Sequence, residues 1–347
     1  MDNKTAVPQF PVVEVSGTSY EMGYGHGTQA ADLIGRYLLW IEKLTRVSRD
    51  ALCRNAMTFL PAIQQLSPAL VEELRGLAKG ADITFEEALL CQARVDAAQV
   101  GAGGCTAFAL TRSATTDGQP LAGQNQDLEP EFADVAIVLR VRPTDGRPRA
   151  VMFTFAGQLG YSGLNEHGVA HFTTGLYNYR CSLGVPRYPL KRILLEQWTV
   201  GDCIDLLARH RTSSAGNLVL CDSQGRIADV EVRPEGIALF SDDNLDQRLH
   251  TNHYLTPEFA AHEVGTFPDS GPRLARLRAL VRGSWGRITV DTLKGILADH
   301  DGDPAAICRH GAQGIHSICG YIAEPAKRLL HVRRGHGCLG AWQAYEV

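Results

Sequence analysis

Gly103-Gly104-Cys105-Thr106-Ala107-Phe108-Ala109-Leu110 marks the point where the chain changes character. Before it, the Ala-rich pattern of Phe85 to Val100 has helical period and stops at Gly101-Ala102-Gly103-Gly104. After it, an extended run begins at once with Cys105. A thiol thus opens a strand directly behind two glycines. Gly104 has no Cβ, so its carbonyl can be twisted and approached closely by the neighbouring sulfur. One chemistry needs this layout. The Cys105 thiol attacks the Gly104 carbonyl, the acyl group shifts from nitrogen to sulfur, and water cleaves the ester, leaving Cys105 as a new N-terminus. The plainer reading is a turn followed by a small buried hydrophobe, since free cysteine is often buried.

Outward from this point the N-terminal side is mostly helical. Val12 to Val15 reads as a short strand. Thr18 or Ser19 caps a helix with Glu21 in its first turn, and Gly23, Gly25 and Gly27 permit close packing on a neighbour. A phosphate loop would need its glycines before the helix starts. Amphipathic periods run over 30–46 and 51–79, the second divided by Pro61 and Pro68, and Thr84 with Glu87 forms a capping box. On the C-terminal side, β-rich runs at 121–127, 135–141, 150–155 and 168–174 read as an antiparallel meander. Helical period returns at 189–210, 273–281 and 290–298, and strands at 217–221, 228–232, 236–240, 314–322 and 329–333. The pattern is that of one α+β domain over 1–347, sheets covered by helices, with no linker or repeat.

Composition narrows the function. The 347 residues carry a formal charge of −4 without long charge runs, which excludes nucleic acid and an anionic membrane as implied partners. No apolar span reaches transmembrane length, and Met1 to Thr5 has no apolar core of a signal peptide, so the expectation is a soluble, cytoplasmic protein. The nine cysteines are scattered, with no Cys-x-x-Cys pair, which favours reduced thiols and argues against a zinc ribbon. His250 and His253 stand three apart and have no further ligands nearby in sequence, so no metal is expected there, and no cofactor elsewhere.

An N-terminal cysteine nucleophile needs a proton acceptor, a group that orients the new amine, and donors for an oxyanion. The freed α-amine, with an ordinary pKa near 8, serves as acceptor without any histidine. Asp127 ends the strand expected to pair with that of Cys105 and is the candidate carboxylate, its plainer role being a turn cap. Asn252, in His250-Thr251-Asn252-His253, is suited to donate to an oxyanion. Asn165 reads simply as a turn residue.

Taken together, Gly17-Thr18-x-x-Glu21-x-Gly23-Tyr24-x-His26-Gly27, Arg75-Gly76-x-Ala78-Lys79-Gly80-Ala81, Gly104-Cys105-Thr106, Gly123-Gln124-Asn125-x-Asp127, Gly163-x-Asn165-x-x-Gly168-Val169-Ala170, His250-Thr251-Asn252-His253 and Asp269-Ser270-x-x-Arg273 resemble, in order, the acyl-CoA:isopenicillin N acyltransferase family of N-terminal nucleophile hydrolases. More distantly the chain resembles the choloylglycine (bile salt) hydrolases. The resemblance implies a four-layer αββα sandwich, cut between Gly104 and Cys105 into chains 1–104 and 105–347 that stay together as a heterodimer; self-association between copies is left open. It implies Cys105 as nucleophile, Asp127 near the new amine, Asn252 in the oxyanion hole, and a backbone N–H near Asn165 as second donor. Thr106, Gln124 and Arg273 fall on the substrate side of the matching motifs. Gln124 stands where the bile salt hydrolases carry an arginine, and Gln313 where the fungal acyltransferases carry one; His316 beside it reads more simply as a solvent or core histidine.

The expected activity is amide hydrolysis, or acyl transfer, on a small N-acyl amide through a Cys105 thioester. Two other classes stay open: an uncleaved cysteine hydrolase assisted by His253, and a non-catalytic binding protein with an unreactive Cys105.

Overall fold

The computed structural model describes residues 9–98, 104–176, 181–265, 267–311 and 314–347. Gly103 and Gln313 lie outside the described residues. The N-terminal third holds β1 (Val12–Gly17), α1 (Ser19–Thr45), α2 (Arg49–Met57), α3 (Leu60–Leu66), α4 (Pro68–Ala81) and α5 (Phe85–Ala98). Then come β2 (Gly104–Leu110), β3 (Leu121–Leu128), β4 (Ala136–Pro143), β5 (Ala150–Phe155), β6 (Ser162–Asn165) and β7 (Ala170–Thr174). The last part carries α6 (Arg187–Leu194), α7 (Val200–Arg209), β8 (Gly216–Cys221), β9 (Ile227–Arg233), β10 (Gly236–Phe240), β11 (Gln247–His250), α8 (Pro257–Ala260), α9 (Ser270–Gly283), α10 (Val290–Ile296), β12 (His316–Glu324), β13 (Leu329–Arg334) and β14 (Trp342–Glu346).

The strands form two sheets. One has the order β1-β4-β5-β6-β7-β8-β9-β10, the other β11-β2-β3-β12-β13-β14. The sequence pattern suggests one meander from 121 to 174, but β3 and β4 belong to different sheets. Strand period alone does not say which sheet a strand joins. The strand at Ser162–Asn165, read from sequence as a turn, is the four-residue link between β5 and β7.

The outer face of the six-stranded sheet is covered by α9 and α10 through Phe108, Leu110, Leu274, Leu277, Leu293 and Ile322. The other large core joins α1, α4 and α5 to the eight-stranded sheet and to the inner face of its partner. The layers are therefore helix, sheet, sheet, helix, an α+β sandwich of αββα form.

Glycine decides how the first helices pack. Thr18 and Glu21 form the capping box that starts α1, and Gly23 and Gly27 lie within that helix. A Cβ at Gly23 would stand 1.8 Å from the Glu73 carbonyl oxygen, and one at Gly76 2.0 Å from that of Tyr20. The backbones of α1 and α4 thus touch directly, so these glycines serve packing rather than phosphate binding.

Register then builds the centre. β2 and β3 run antiparallel with Gly104 opposite Asp127 and Cys105 opposite Gln126. Alternation along a strand puts Cys105 and Gln126 on one face and Gly104 and Asp127 on the other. β11 pairs with β2 up to His250 opposite Ala107, so continuing the chain brings Asn252 beside Cys105. β12 pairs with β3, and a bulge between Ser317 and Cys319 turns Ser317 onto Asp127.

Candidate active site

Cys105 is buried, at 2 % exposure. Its backbone nitrogen donates to Asn252 Oδ1 at 2.7 Å. Its sulfur accepts from Gln126 Nε2 at 3.3 Å and from the backbone N–H of Gly175. Gln126 is fixed in turn, because its Oε1 accepts from Tyr161, Tyr321 and Gln124 at 3.0–3.1 Å. Burial, with the nearby Asp127 carboxyl, pushes the Cys105 thiol up to about 11. The thiol is therefore neutral at pH 7.

Asp127 lies beneath the Gly104 to Cys105 peptide, on the strand face away from the sulfur. Its Oδ1 accepts from Ser317 Oγ at 2.6 Å, while its buried Oδ2 has no hydrogen-bond partner. A Cβ on Gly104 would stand 3.2 Å from that oxygen and 2.7 Å from Arg309 Nη1, so a side chain there would have to push the Arg309 guanidinium and the Asp127 carboxyl aside. Burial raises the Asp127 carboxyl above the usual range, against the pull of Arg273 and the Ser317 hydrogen bond.

Arg273 ties these parts together. From full burial its guanidinium donates to the carbonyl of Cys105, to Thr106 Oγ1 at 3.0 Å, to Asn252 Oδ1 at 2.8 Å and to Asp269 Oδ2 at 2.7 Å. Two donors, Cys105 N–H and Arg273 Nη2, converge on one atom of Asn252, which fixes that atom as the oxygen. Asn252 Nδ2 donates to the Gly175 carbonyl at 2.9 Å. The sequence expectation for Asn252 is an oxyanion donor; here its oxygen accepts from the Cys105 backbone nitrogen, and one of its two side-chain N–H hydrogens is engaged by the Gly175 carbonyl.

Two expected residues sit elsewhere. Asn165 Nδ2 donates to the carbonyls of Leu195 and Gln197, its Oδ1 accepts from the N–H groups of His167 and Val169, and its own N–H bonds Val169. No donor of Asn165 is left for an oxyanion, because the β6 to β7 turn takes its backbone N–H and the segment after α6 takes both side-chain hydrogens. Gln124 clips the sheets together, its side chain bonding both the N–H and the carbonyl of Thr173 on β7 at 2.8 Å. It supports Gln126 and does not face a substrate. His253 is also removed from the thiol: its Nδ1 pairs with Ser270 Oγ at 2.7 Å, and among the described residues no histidine hydrogen-bonds Cys105.

Sequence reading missed Gln126, Gly175 and Lys191. Strand register gives Gln126, two positions from Gln124 on the same face; Gly175 and Lys191 reach the site from distant segments that no local motif marks. A pocket opens beside Cys105, bounded by Leu128, Phe132, Leu190 and Val232 and carrying Arg187 and Lys191. The Lys191 ammonium lies 3.9 Å from the Tyr161 ring centre, and burial, then Arg187, pulls its pKa down to about 7.

No helix among the described residues is long and apolar enough to cross a membrane. Residues 113–336 match the family model described as acyl-coenzyme A:6-aminopenicillanic acid acyl-transferase. The 40 kDa form of acyl-coenzyme A:6-aminopenicillanic-acid-acyltransferase from Emericella nidulans is 26 % identical over 311 residues, covering 87 % of this chain and 85 % of the relative. Among solved structures, a variant of conjugated bile acid hydrolase from Clostridium perfringens aligns with a TM-score of 0.48 and 14 % identity, over 70 % of this chain and 97 % of that one. Penicillin V acylase from Agrobacterium tumefaciens aligns with a TM-score of 0.46 and 13 % identity, over 66 % and 83 %.

Proposed function

We propose that this chain, which belongs to the acyl-coenzyme A:6-aminopenicillanic acid acyl-transferase family, cuts itself between Gly104 and Cys105 and then hydrolyses or transfers the acyl group of a small N-acyl amide. The observation that carries the reading is the double hold on Cys105: nitrogen on Asn252, sulfur between Gln126 and Gly175, with a pocket beyond.

In the first step the Cys105 sulfur adds to the Gly104 carbonyl, the carbon to nitrogen bond breaks, and the thiol proton ends on the leaving nitrogen, which becomes the free amine while a Gly104 thioester forms on Cys105. Water then adds to that thioester, releasing the Gly104 carboxylate and the free thiol. Asp127 supplies a protonatable carboxyl on the far side of the scissile peptide, and Arg273 pins the Cys105 carbonyl so that the peptide cannot rotate away. The chains 1–104 and 105–347 remain together, because the cores join α1, α4 and α5 to the strands.

In turnover the new α-amine, held by Asn252 Oδ1, takes the thiol proton as sulfur attacks the substrate amide, and returns it to the leaving amine. Gln126 Nε2 and the Gly175 N–H, both beside the sulfur, are the donors nearest the developing oxyanion. Water completes the cycle by hydrolysing the thioester; an amine in its place gives acyl transfer. The pocket's apolar wall suits an apolar acyl group, and Arg187 and Lys191 suit an anionic group on the substrate.

The test is the intact mass of the purified protein under denaturing conditions beside Cys105→Ala. The expected result is two chains meeting at Gly104 and Cys105 for the wild type and a single chain for the variant. One uncut chain in both after long incubation overturns self-cleavage.

A further inference from the structure

At the end of the sandwich carrying β12 and β13, four side chains that lie far apart in sequence meet. They are His300, Cys308, His310 and Cys338, and their candidate ligand atoms all lie within 4.8 Å of one another. His300 Nε2 is 2.8 Å from His310 Nε2, Cys308 Sγ is 3.6 Å from His310 Nε2, and Cys338 Sγ is 3.3 Å from the same nitrogen. A tetrahedral zinc ion with ordinary bond lengths needs roughly 3.3 Å between two nitrogens, 3.5 Å between nitrogen and sulfur and 3.8 Å between two sulfurs. The two nitrogen to sulfur distances are within a few tenths of an ångström of that figure, and the two imidazoles stand somewhat closer.

We propose that this chain carries a structural zinc site formed by His300, Cys308, His310 and Cys338. Two thiolates and two imidazoles are a zinc donor set, and with four protein ligands no position is left for water or substrate, which marks the site as structural. The surroundings complete it. The backbone N–H of Gly337 donates to Cys308 Sγ at 3.2 Å, as outer-sphere groups do for a ligating thiolate. The His336 ring stacks on His310 with centroids 4.0 Å apart and bonds His316 Nδ1 at 3.1 Å, which fixes the plane of the ligating ring. Two bland roles fit less well. A redox pair of cysteines gives no reason for the two histidines that converge on them, and a surface histidine cluster gives no reason for the sulfurs.

The site is independent of the chemistry at Cys105, yet it shares a segment with it. Arg309 stands between ligands Cys308 and His310, donates from its own backbone N–H to Ser317 Oγ at 2.9 Å, and places its guanidinium 3.0 Å from Asp269 and against Gly104. Zinc would thus tie down the backbone that presents Arg309 and Ser317 to the cut site. The spacing His-x7-Cys-x-His-x27-Cys contains no paired motif, so the sequence expectation of no metal rested on a pattern this site does not use.

The experiment uses the full chain, purified without chelator and dialysed exhaustively. Elemental analysis is expected to give one zinc per chain, falling to background in the Cys308→Ser, Cys338→Ser double variant and unchanged in Cys203→Ser, a buried cysteine outside the cluster. Added Co²⁺ is expected to give the visible bands of a tetrahedral site with thiolate charge transfer, absent from the double variant. His300→Asn removes the exposed ligand with the least effect on folding, and is expected to weaken Co²⁺ binding at least tenfold. Wild-type protein that neither retains zinc nor develops the cobalt spectrum overturns the proposal, as does a chain lacking two hydrogens in a Cys308 to Cys338 disulfide. Failure at Cys105 in the mass test leaves these readouts untouched.

Discussion

Asn252 Oδ1 and the backbone nitrogen of Cys105 are joined by a 2.7 Å hydrogen bond across 147 residues of chain. That bond separates two roles for the same side chain. If Asn252 holds the amine through its oxygen, Asn252→Asp keeps the acceptor for the Cys105 nitrogen and Arg273 and loses only the donor to the Gly175 carbonyl. Asn252→Ala removes the acceptor and leaves two buried donors unpaired. The expected outcome is a loss of about 100-fold in kcat/KM for Asn252→Ala and about 10-fold or less for Asn252→Asp. Equal losses in both, measured on the cleaved enzyme, would return Asn252 to an oxyanion donor.

Lys191 sets a pH dependence. Its pKa falls from 10.5 to about 7 on folding, through burial and then Arg187. Between those values the unfolded chain binds more protons than the native one, so stability rises with pH across the window and its penalty is complete below pH 7. Lys191→Met is expected to raise stability by roughly 1–3 kcal/mol at pH 6 and by little at pH 10. Urea unfolding at the two pH values reads the difference; a gain that is equal at both would mean that packing, and not charge, decides.

Asn165 is expected to matter for stability alone. Its side chain makes four hydrogen bonds that hold the β6 to β7 turn on the segment after α6. Asn165→Ala should cost about 2–4 kcal/mol in urea unfolding while kcat of the folded fraction is unchanged. A 100-fold fall in kcat with ordinary stability would place Asn165 at the oxyanion after all.

Much of this was legible in the chain. The capping boxes at Thr18 and Thr84, the breaks at Pro61 and Pro68 and the glycine-to-cysteine switch are local chemistry, and local chemistry is what sequence period reports. The positions of Asp127 and Asn252 beside Gly104 and Cys105 are legible because each stands at the end of a readable strand. What was not legible depends on which strand lies beside which. Gln124 and Asn165 look like site residues in the motif, yet one bridges two sheets and the other closes a turn. Gly175, Lys191 and the His300, Cys308, His310, Cys338 cluster come together only through long-range topology, which no window of sequence contains.

Arg273 offers the sharpest test of how the proposed cut site is held. One planar guanidinium serves four acceptors on three segments: Cys105 and Thr106 on β2, Asn252 after β11, and Asp269 at the start of α9. Lysine keeps the charge but is a compact ammonium on a flexible stem and cannot span that fork. Arg273→Lys is therefore expected to slow self-cleavage about 100-fold, because the Cys105 carbonyl and the Asn252 oxygen lose their common anchor. Thr106→Val removes a single acceptor and should slow it by less than about 5-fold, near the value of one ordinary hydrogen bond. In the fraction that does mature, a positioning role predicts that kcat falls while KM holds, since Arg273 bonds the nucleophile's own backbone and not the pocket wall. A rise in KM at unchanged kcat would assign Arg273 to substrate binding, and time courses of the 1–104 fragment by mass, beside steady-state hydrolysis, tell the two apart.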